Sequence, residues 1–311
     1  MANVFRSNGK LMLTGEYLAL RGAKVFAVPL QFGQELEIDS VTNPLVYWRT
    51  LFRDQIIFDA IFETDRFEVM ESSDTEKAQW IQKVFRAIRE QQKEFLKDSG
   101  AEATATIDLP MNYGWGSSSS FINNLCQWAN VDPFMVNMNV GGGSGYDIAC
   151  ASAKKPILYS NELANPKFDE IDYQPGFERN LWFVFQENKM NTAEAIRRIR
   201  TKKVDKKQVA KISEISEKWV ESNELTEIMN LMKEHESIMS NIIDLPTIGE
   251  QYQDFNGTVK SLGAWGGDFM LAASEMSGAD VISYFTGKDR PTIFNWYEIV
   301  KNETEQNIKS E

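Results

Sequence analysis

The sequence is poor in cysteine and histidine, the residues that most often build metal centres and nucleophile–base pairs. It has two cysteines, Cys126 and Cys150, and one histidine, His235, among 311 residues. Each cysteine lies in an apolar helical pattern, which is typical of a packed thiol in a reducing compartment rather than of a disulfide or a metal ligand. The lone histidine argues against a Ser-His-Asp triad and a histidine-based zinc site, and its polar helical surroundings predict a solvated surface position.

Long apolar runs and an excess of positive charge are also missing. No stretch of about 18 apolar residues occurs, and the start of the sequence shows no basic segment followed by an apolar run. We therefore expect a cytoplasmic protein with no membrane partner. The formal charge of −12 disfavours a nucleic-acid partner, because sequence-independent binding to phosphate backbones needs a basic face.

Two common nucleotide-binding patterns are absent as well. The pattern G-x-x-x-x-G-K-[ST] does not occur, and residues 141–146 fail the dinucleotide pattern G-x-G-x-x-G at its last position. A P-loop kinase and a Rossmann dehydrogenase are therefore disfavoured. With 42% hydrophobic and 25% charged residues, the chain is nonetheless typical of a soluble globular protein, and its length suits two medium-sized domains.

A segment rich in glycine and serine, residues 110–120, lies between a strand pattern and a helix pattern. Residues 103–109 alternate apolar and polar side chains, whereas apolar residues recur at helical spacing over 121–129. The serines thus open a helix, where unpaired backbone N–H groups attract anions, and Gly114 and Gly116 let oxygen atoms approach the backbone. The segment predicts a phosphate site, and a Gly/Ser turn with an ordinary serine cap is the alternative.

Two candidate catalytic groups lie next to other glycines. Lys10 follows Gly9 in a short apolar strand, from which its charge would either reach a phosphate in a cleft or extend into solvent. Asp147 lies in the first turn of a helix that follows the glycine cluster at 141–145. Its carboxylate would either accept a proton from a substrate hydroxyl or cap the helix.

In their order along the chain, these segments resemble the motifs of the GHMP kinase superfamily, which includes galactokinase, homoserine kinase, mevalonate kinase and phosphomevalonate kinase. The first motif is matched by Gly9, Lys10, Gly15 and Glu16, with Ser7 or Asn8 in place of its proline. The second, P-x-x-x-G-L-G-S-S-A, is matched by Pro110, Gly114, Gly116, Ser117 and Ser118, with Trp115 for leucine and Ser119 for alanine. The third, a lysine before a G-A-G-G-G run, is matched by Lys260, Gly263, Ala264, Gly266 and Gly267, with Trp265 at a glycine position.

The resemblance covers most of the chain and implies the α+β two-domain GHMP kinase fold. Residues 1–165 would form the N-terminal ATP-binding domain, which is a ribosomal-protein-S5-domain-2-like α/β domain. Residues 176–311 would form the C-terminal domain, which is ferredoxin-like α+β. Hydrophobic patterns add an amphipathic helix over 76–97, a polar crossover between the domains over 158–175 and a strand over 281–285.

The substrate-side segments point to one part of the superfamily. Residues 144–149 are similar to the S-G-x-D segment of mevalonate and phosphomevalonate kinases, and residues 266–268 resemble the G-G-D ending of the third motif in phosphomevalonate kinases. The resemblance therefore implies an ATP-dependent kinase that phosphorylates mevalonate or phosphomevalonate, in isoprenoid precursor synthesis. The alternatives are a GHMP kinase for another small alcohol or sugar, a diphosphomevalonate decarboxylase and a non-catalytic nucleotide binder.

The same resemblance implies a role for each matched residue, with ATP and Mg²⁺ as cofactors. Asp147 would take the proton from the acceptor oxygen, Lys10 would steady the charge of the transition state, and Ser118 would ligate Mg²⁺. The nucleotide would be held by Gly114, Trp115, Gly116, Ser117, Ser118 and Ser119. The acceptor side would be formed by Glu16, Ser144, Gly145, Tyr146, Gly263, Ala264, Gly266 and Gly267.

One departure from the family pattern concerns the metal. Mevalonate kinases place a magnesium-ligating glutamate ahead of the catalytic aspartate, at the position that Val136 occupies here, and Asp132 is the one acid nearby. Either fewer protein ligands and more water hold the metal, or another carboxylate takes that place.

A second phosphate on the acceptor would be bound by Lys154, Lys155, Lys189 and Arg197, unless these are surface charges. We expect a monomer or a homodimer with a small-molecule substrate.

Overall fold

The computed structural model describes residues 3–110, 112–162, 165–186, 204–263 and 268–301. The chain divides into two compact units, each assembled from several segments. The first unit comprises Met1–Gly9, Phe32–Met111 and Trp115–Ser152, and the second unit comprises Lys10–Gln31, Asn112–Gly114 and Ala153–Glu311. Residues 10–31 and 153–165, which the sequence assigned to the N-terminal domain, thus lie in the second unit.

The sheet of the first unit is formed from the early strands of the chain. These are β1 (Asn3–Met12), β2 (Val25–Val41), β3 (Leu45–Phe52), β4 (Gln55–Glu63), β5 (Val69–Ser72) and β6 (Gly100–Ile107). They pair in the order β5-β4-β3-β6-β2, and β1 also pairs with β2. The β3–β6 pair is parallel, with Val46 opposite Ala101. Ala103, Ala105 and Ile107 of β6 are buried, which confirms the alternation predicted for this strand.

Helices supply the rest of the apolar core in the first unit. They are α1 (Thr75–Gln91), α2 (Ser117–Ala129), α3 (Pro133–Val140) and α4 (Tyr146–Ser152). Trp48 of β3, Phe85 of α1 and Leu125 of α2 belong to one buried cluster. The helix predicted over 76–97 ends at Gln91, because the chain turns there and Phe95 packs against the Trp128 ring, with 4.8 Å between centroids.

Both cysteines lie in helices of the first unit, Cys126 in α2 and Cys150 in α4. Both are buried and free. Burial raises the pKa of the Cys126 thiol to about 12, so this thiol stays protonated and unreactive at neutral pH. The prediction of packed thiols is confirmed.

The second unit contains two antiparallel groups of strands. β7 (Ile157–Glu162) pairs with β8 (Asn165–Glu170) and with Val25–Ala27 at the start of β2. A separate sheet is formed by β9 (Leu181–Phe185), β10 (Thr258–Leu262), β11 (Phe269–Ala273) and β12 (Ile293–Asn295), in the order β10-β11-β9-β12. The prediction of a polar crossover over 158–175 is therefore wrong, because much of this segment is paired as strands whose outward side chains are polar.

The helices of the second unit correct one strand assignment. They are α5 (Lys206–Glu221), α6 (Leu225–Ile243), α7 (Gly278–Thr286) and α8 (Trp296–Ile299). The strand predicted over 281–285 lies inside α7, where Val281 and Phe285, four residues apart, are both buried on one helix face. The sequence also predicts that residues 192–200 open a helix, and these residues lie outside the described part of the chain. No helix in the described part of the chain combines the length and apolar composition needed to cross a membrane.

Candidate functional site

The predicted phosphate segment contains a helix start that no side chain caps. β6 ends at Ile107, and α2 begins at Ser117 with Gly116 as its N-cap residue. Gly116 has a φ of 90°, in the left-handed region that favours glycine, and the N-cap position supplies no side-chain hydrogen bond. The backbone N–H groups of this first turn are therefore suited to an anion.

The serines at positions 117–120 divide into two pairs. Ser119 and Ser120 are buried, and their hydroxyls donate to the carbonyl of Gly116 at 2.9 and 3.1 Å. Ser117 is half-buried and Ser118 is exposed, and both border a cavity. The Ser119 hydroxyl is thus used within the helix, whereas Ser117 and Ser118 line a space that can hold a ligand.

This cavity has a volume of about 380 Å³ and lies within the first unit. Its lining includes the polar residues Gln34 and Lys77 and the aromatic residues Trp80 and Phe121. The centroids of the two aromatic rings are 5.0 Å apart. A concave site of this size, with apolar walls and a few polar groups, is typical of small-molecule binding. Since its aromatic walls adjoin a helix N-terminus, the cavity suits a ligand that joins a flat ring system to an anionic group.

Sequence reasoning did not identify the cavity. Trp80 and Ile81 lie on the apolar side of the helical pattern of α1, and Phe121 lies on that of α2, so periodicity assigns all of them to the core. The structure buries Ile81 and Phe121 but leaves Trp80 partly exposed. Periodicity cannot separate a core residue from a pocket wall, because both lie on the same apolar face.

The residues just ahead of this helix, Asn112–Gly114, belong to the second unit. The ring of Tyr113 packs against three phenylalanines, with centroid distances of 4.6 Å to Phe185, 5.4 Å to Phe269 and 6.2 Å to Phe294. These phenylalanines come from β9, β11 and, in the last case, β12. Tyr113 therefore anchors this part of the phosphate segment to the four-stranded sheet.

Gly114 lies between two charged side chains of the second unit. The Lys10 ammonium donates to the Gly114 carbonyl at 2.8 Å. On the other side, a Cβ added to Gly114 would lie 2.3 Å from Oδ2 of Asp268, and its φ of +64° also favours glycine. The structure thus brings Lys10 to the predicted phosphate segment, and it adds Asp268, to which the sequence had assigned no role.

Trp115 returns to the first unit and is buried there. Its ring stacks on Phe32, with centroids 5.6 Å apart and an interplanar angle of 23°. A Cβ on Gly9 would lie 2.9 Å from the Trp115 carbonyl oxygen, so the first-motif glycine allows this close approach. The Trp115 side chain is therefore a packing element, and the nucleotide contact implied by the resemblance is left to its backbone.

Asp147 lies in the first turn of α4, after a loop of glycines. Gly142, Gly143 and Gly145 all have positive φ values. The Asp147 side chain is half-buried, its Oδ1 accepts a hydrogen bond from the Ile148 N–H at 3.1 Å, and no described residue forms an ion pair with it. A carboxylate in this state is able to accept a proton. Ser144 and Gly145, predicted on the acceptor side, are buried next to it in the chain, and Tyr146 is half-buried.

Glu16, predicted to contact the substrate, lies in a buried ion pair of the second unit. The Lys260 ammonium is 2.6 Å from Oε1 of Glu16, and the two side chains are 0% and 4% exposed. Burial acts to raise the pKa of Glu16, but attraction and hydrogen bonding from Lys260 and His235 outweigh it and hold that pKa below its usual value. The ion pair occupies the carboxylate, which favours a structural role for Glu16 over a substrate contact.

The prediction of a solvated His235 is wrong, since its side chain is 1% exposed. Its Nε2 accepts a hydrogen bond from the Gly15 N–H at 3.0 Å and also lies 3.0 Å from Oε2 of Glu16. Burial and the charge of Lys260 lower the pKa of His235 below its usual value, so the ring is neutral near pH 7 and Nε2 is free to accept. The polar neighbours in the sequence concealed that position 235 continues the buried face of α6, with Ile228, Leu231, Met232 and Met239.

Glu236, the next residue, is a second buried carboxylate. Its oxygens accept hydrogen bonds from the Ile248 N–H at 3.1 Å and the Ser261 N–H at 3.0 Å. Burial raises the pKa of Glu236 to about 7, although Lys260 and the two N–H donors act in the opposite direction. Glu236 therefore changes its charge near neutral pH, at the point where β10 leads into the third glycine motif.

The free energy of unfolding is expected to fall as the pH rises from 5.5 to 8, through ionisation of Glu236. Its folded pKa of about 7 lies above the ordinary value of 4.5. The folded protein therefore holds this proton more tightly than the unfolded chain, and the stabilisation is complete below pH 4.5 and lost as the pH passes 7. The whole shift corresponds to about 3 kcal/mol, of which about 2 kcal/mol is lost between pH 5.5 and pH 8. Urea unfolding at the two pH values should show a smaller fall for Glu236→Gln than for the wild type.

Two comparisons isolate this effect. Glu221→Gln, at an exposed position that ends α5, should leave the pH dependence as in the wild type. His235 acts with the opposite sign, because its lowered pKa makes it lose stabilisation as the pH falls below 6.5. Since His235 is present in both proteins, its contribution cancels in the difference. An equal fall in the wild type and Glu236→Gln would contradict the assignment to Glu236.

The third glycine motif is described only at its two ends. Gly263 has a φ of +71° and open space where a Cβ would lie. Ala264, Gly266 and Gly267, predicted on the acceptor side, lie outside the described residues.

Of the side chains considered for a second phosphate, Lys189 and Arg197 also lie outside the described residues. Lys155 forms an ion pair of 2.7 Å with Asp172, as expected for a surface charge.

In the described part of the chain, no group of three or more histidine, cysteine, aspartate or glutamate residues is arranged to bind a metal ion. Mg²⁺ usually keeps several waters and binds to proteins through one or two carboxylates together with substrate phosphates. The residues described are therefore compatible with a cation that arrives with a nucleotide.

No protein-family model and no curated protein matches the sequence. Solved structures, however, match nearly the whole chain. The Methanococcus jannaschii mevalonate kinase is 15% identical, with a TM-score of 0.68 over 97% of this chain and 99% of its own. The Streptococcus pneumoniae phosphomevalonate kinase, in complex with phosphomevalonate and AMPPNP, is 15% identical, with a TM-score of 0.69 over 94% and 99%.

A third match extends the range of substrates. The Lactococcus lactis galactokinase, complexed with galactose, is 13% identical, with a TM-score of 0.67 over 96% of this chain and 93% of its own. These neighbours are GHMP-type kinases, and the chain has their fold. The predicted α+β GHMP kinase fold is thus confirmed. At such low identities the likeness establishes the fold, and it does not distinguish among the substrates.

Proposed function

We propose that the protein is an ATP-dependent GHMP-type kinase that transfers the γ-phosphoryl group of MgATP to mevalonate or phosphomevalonate. The observation that carries this proposal is the cavity of the first unit, which places Ser117 and Ser118 beside aromatic walls. The shared fold with mevalonate and phosphomevalonate kinases supports the same conclusion. A non-catalytic nucleotide binder would have the same cavity, so the proposal has to be tested on turnover.

On the nucleotide side, the residues of the first unit bind and orient. The adenine ring packs against the apolar wall that Trp80 and Phe121 form together, where removal of water and ring packing stabilise it. The N–H groups that open α2 hold phosphate oxygens, aided by the helix dipole. Ser118 would hold the Mg²⁺ that accompanies ATP through its hydroxyl oxygen, and the chemistry supplied by the bound ion would be charge neutralisation.

On the acceptor side, Asp147 takes the proton from the attacking oxygen. Its half-buried carboxylate, held by the Ile148 N–H, is positioned by α4. The helix is tied to β1 by a hydrogen bond of 3.2 Å from the Asn8 amide to the Cys150 carbonyl. Lys10 contributes positive charge, which offsets the negative charge of the transferred group. Phosphoryl transfer requires mainly positioning and charge neutralisation, so these few groups suffice for the chemistry.

A coupled assay for ADP release tests the proposal and selects the acceptor. The purified protein with MgATP should release ADP when mevalonate or 5-phosphomevalonate is added, and not when galactose or homoserine is added. Turnover with a sugar alone would support the proposed kinase activity and would replace the proposed acceptor with a sugar. Release of carbon dioxide from diphosphomevalonate would identify a decarboxylase, and nucleotide binding without ADP release from any acceptor would reject an enzymatic role.

A further inference from the structure

The cavity of the first unit has a polar side chain at a strand position where the pattern calls for an apolar one. Gln34, Leu36 and Ile38 alternate along β2, and all three are buried. Leu36 and Ile38 belong to the apolar core cluster of this unit, whereas Gln34 lines the cavity. Gln34 is only 2% exposed. A polar side chain buried to this extent needs hydrogen-bond partners, so each of its polar atoms has to be accounted for.

The Gln34 side chain uses one of its two polar atoms within the protein. Its Oε1 accepts a hydrogen bond from the Ser120 hydroxyl at 3.4 Å. Its Nε2 carries two N–H groups, and no residue in the described part of the chain accepts a hydrogen bond from them. This nitrogen is not among the buried polar atoms that are sealed off without a partner, so it is accessible in a side chain that lines the cavity.

The backbone of Gln34 is held by the fold of the first unit. Gln34 pairs with Ile107 of β6, which also lines the cavity. Its backbone carbonyl accepts a hydrogen bond from the side-chain amide of Asn124, in α2, at 2.9 Å. The Oδ1 of Asn124 in turn accepts from the Ser7 hydroxyl of β1 at 2.5 Å. A donor on a paired strand with such support keeps its position before a ligand arrives, which lowers the entropic cost of binding.

The depth of Gln34 indicates which part of a nucleotide it meets. Ser118, at the helix start proposed to hold the phosphates, is exposed, whereas Gln34 is buried. Phosphate groups are charged, and a charge is costly to remove from water and from its counterion. The uncharged nucleoside therefore enters more deeply than the phosphates. Its base and ribose carry nitrogen and oxygen atoms that accept hydrogen bonds.

We propose that Gln34 is a nucleotide-binding residue whose side-chain amide donates a hydrogen bond to the nucleoside part of the bound nucleotide, an assignment that rests on the kinase function proposed above. The ligand acceptor pairs with the N–H groups that the described residues leave without a partner. The apolar wall of Trp80 and Phe121 favours any flat ring, whereas a hydrogen bond requires an acceptor at one place. Gln34 thereby adds selectivity to the cavity, because a site that offers a buried donor rejects ligands that leave the donor unpaired.

Calorimetric titration with the magnesium complex of AMPPNP tests the assignment without relying on turnover. Gln34→Met keeps the length of the side chain and removes its amide. The dissociation constant of AMPPNP should rise by about 10-fold, the effect of losing one buried hydrogen bond. Inorganic tripolyphosphate has the phosphates and lacks the nucleoside, so its affinity should be the same for Gln34→Met and for the wild type.

Gln186→Met is the matched control, because Gln186 is also a buried glutamine, at 4% exposed, but has protein partners at both ends of its amide. Its Nε2 donates to the Val184 carbonyl at 3.2 Å, and its Oε1 accepts from the Tyr252 hydroxyl at 3.1 Å. Gln186→Met should lower the free energy of unfolding and leave AMPPNP affinity unchanged. Gln34→Met should not lower the free energy of unfolding of the ligand-free protein, because the lost N–H groups had no protein partner.

Three results would overturn the assignment and leave the kinase proposal intact. The first is unchanged AMPPNP affinity in Gln34→Met. The second is equal weakening of AMPPNP and tripolyphosphate, which would mean that Gln34 only shapes the start of α2 through Ser120. The third is a loss of stability as large as that of Gln186→Met, which would mean that the amide is used within the protein. A wild type that binds no nucleotide would overturn both proposals.

Discussion

Replacing Lys260 with methionine is expected to lower the free energy of unfolding by about 3–5 kcal/mol, the usual cost of removing one partner of a buried ion pair. The Lys260 ammonium is fully buried and lies 2.6 Å from the Glu16 carboxylate. Methionine fills a similar volume, so the cost arises from a carboxylate left buried without its cation and not from a cavity. Burial, the largest cause of the lowered pKa of His235, remains in this variant, whereas the charge of Lys260, the second cause, is removed. Urea unfolding at pH 7 measures the change.

Two further variants make this result specific to the buried pair. Lys218→Met removes the cation of an exposed pair, 2.7 Å from Glu214 with the lysine side chain 50% exposed, and should cost less than about 1 kcal/mol. The double variant Lys260→Met/Glu16→Gln should recover part of the loss, because a neutral amide is cheaper to bury than a carboxylate. If Lys260→Met costs no more than Lys218→Met, the buried pair does not stabilise the fold.

Replacing Asp147 with asparagine is expected to reduce kcat by about 100-fold or more, the typical contribution of a general base. The amide keeps the size of the side chain and the oxygen that accepts the Ile148 N–H at 3.1 Å, so α4 should be unchanged. It cannot take a proton at neutral pH. ATP binding should be preserved, because the cavity of the first unit is lined by other residues.

The measurement combines ADP release at saturating acceptor with titration of an ATP analogue. Asp98→Asn, at an exposed position, serves as the matched control and should retain full kcat. Loss of nucleotide binding together with kcat would point to a structural role for Asp147. Full activity in Asp147→Asn would transfer the role of base to another group.

The phosphate segment shows which structural features local sequence patterns can predict. Alternation up to residue 109 and helical spacing after residue 120 predicted a strand, a turn and a helix, and the structure has β6 ending at Ile107 and α2 beginning at Ser117. Each of these elements depends on neighbours within a few residues, which the sequence displays directly. The same patterns could not show that Asn112–Gly114 pack with the second unit, because the partners of Tyr113 come from distant strands.

The wrong assignments have a common physical cause. Residues 281–285 form an apolar run too short for its period to be read, so a strand and one buried turn of helix looked alike. His235 and Glu236 are polar residues in a polar stretch of the sequence, yet both are buried on α6. The free-energy cost of burying these side chains is offset by hydrogen bonds from the N–H groups of Gly15, Ile248 and Ser261. These donors lie on other elements, so no rule based on neighbouring residues in the sequence identifies them.

Glycines with unusual backbone angles, alternating strands and helix starts follow from steric and hydrogen-bonding rules that act over a few residues. Their order along this chain was enough to indicate the GHMP kinase fold and the segments that would meet a nucleotide. Folding of the whole chain was needed to create the cavity beside Trp80, to bring Asp268 against Gly114 and to pair Glu16 with Lys260 across 244 residues. Burial and charge pairing depend on distance in space, and residues far apart in sequence become neighbours only when the chain is folded.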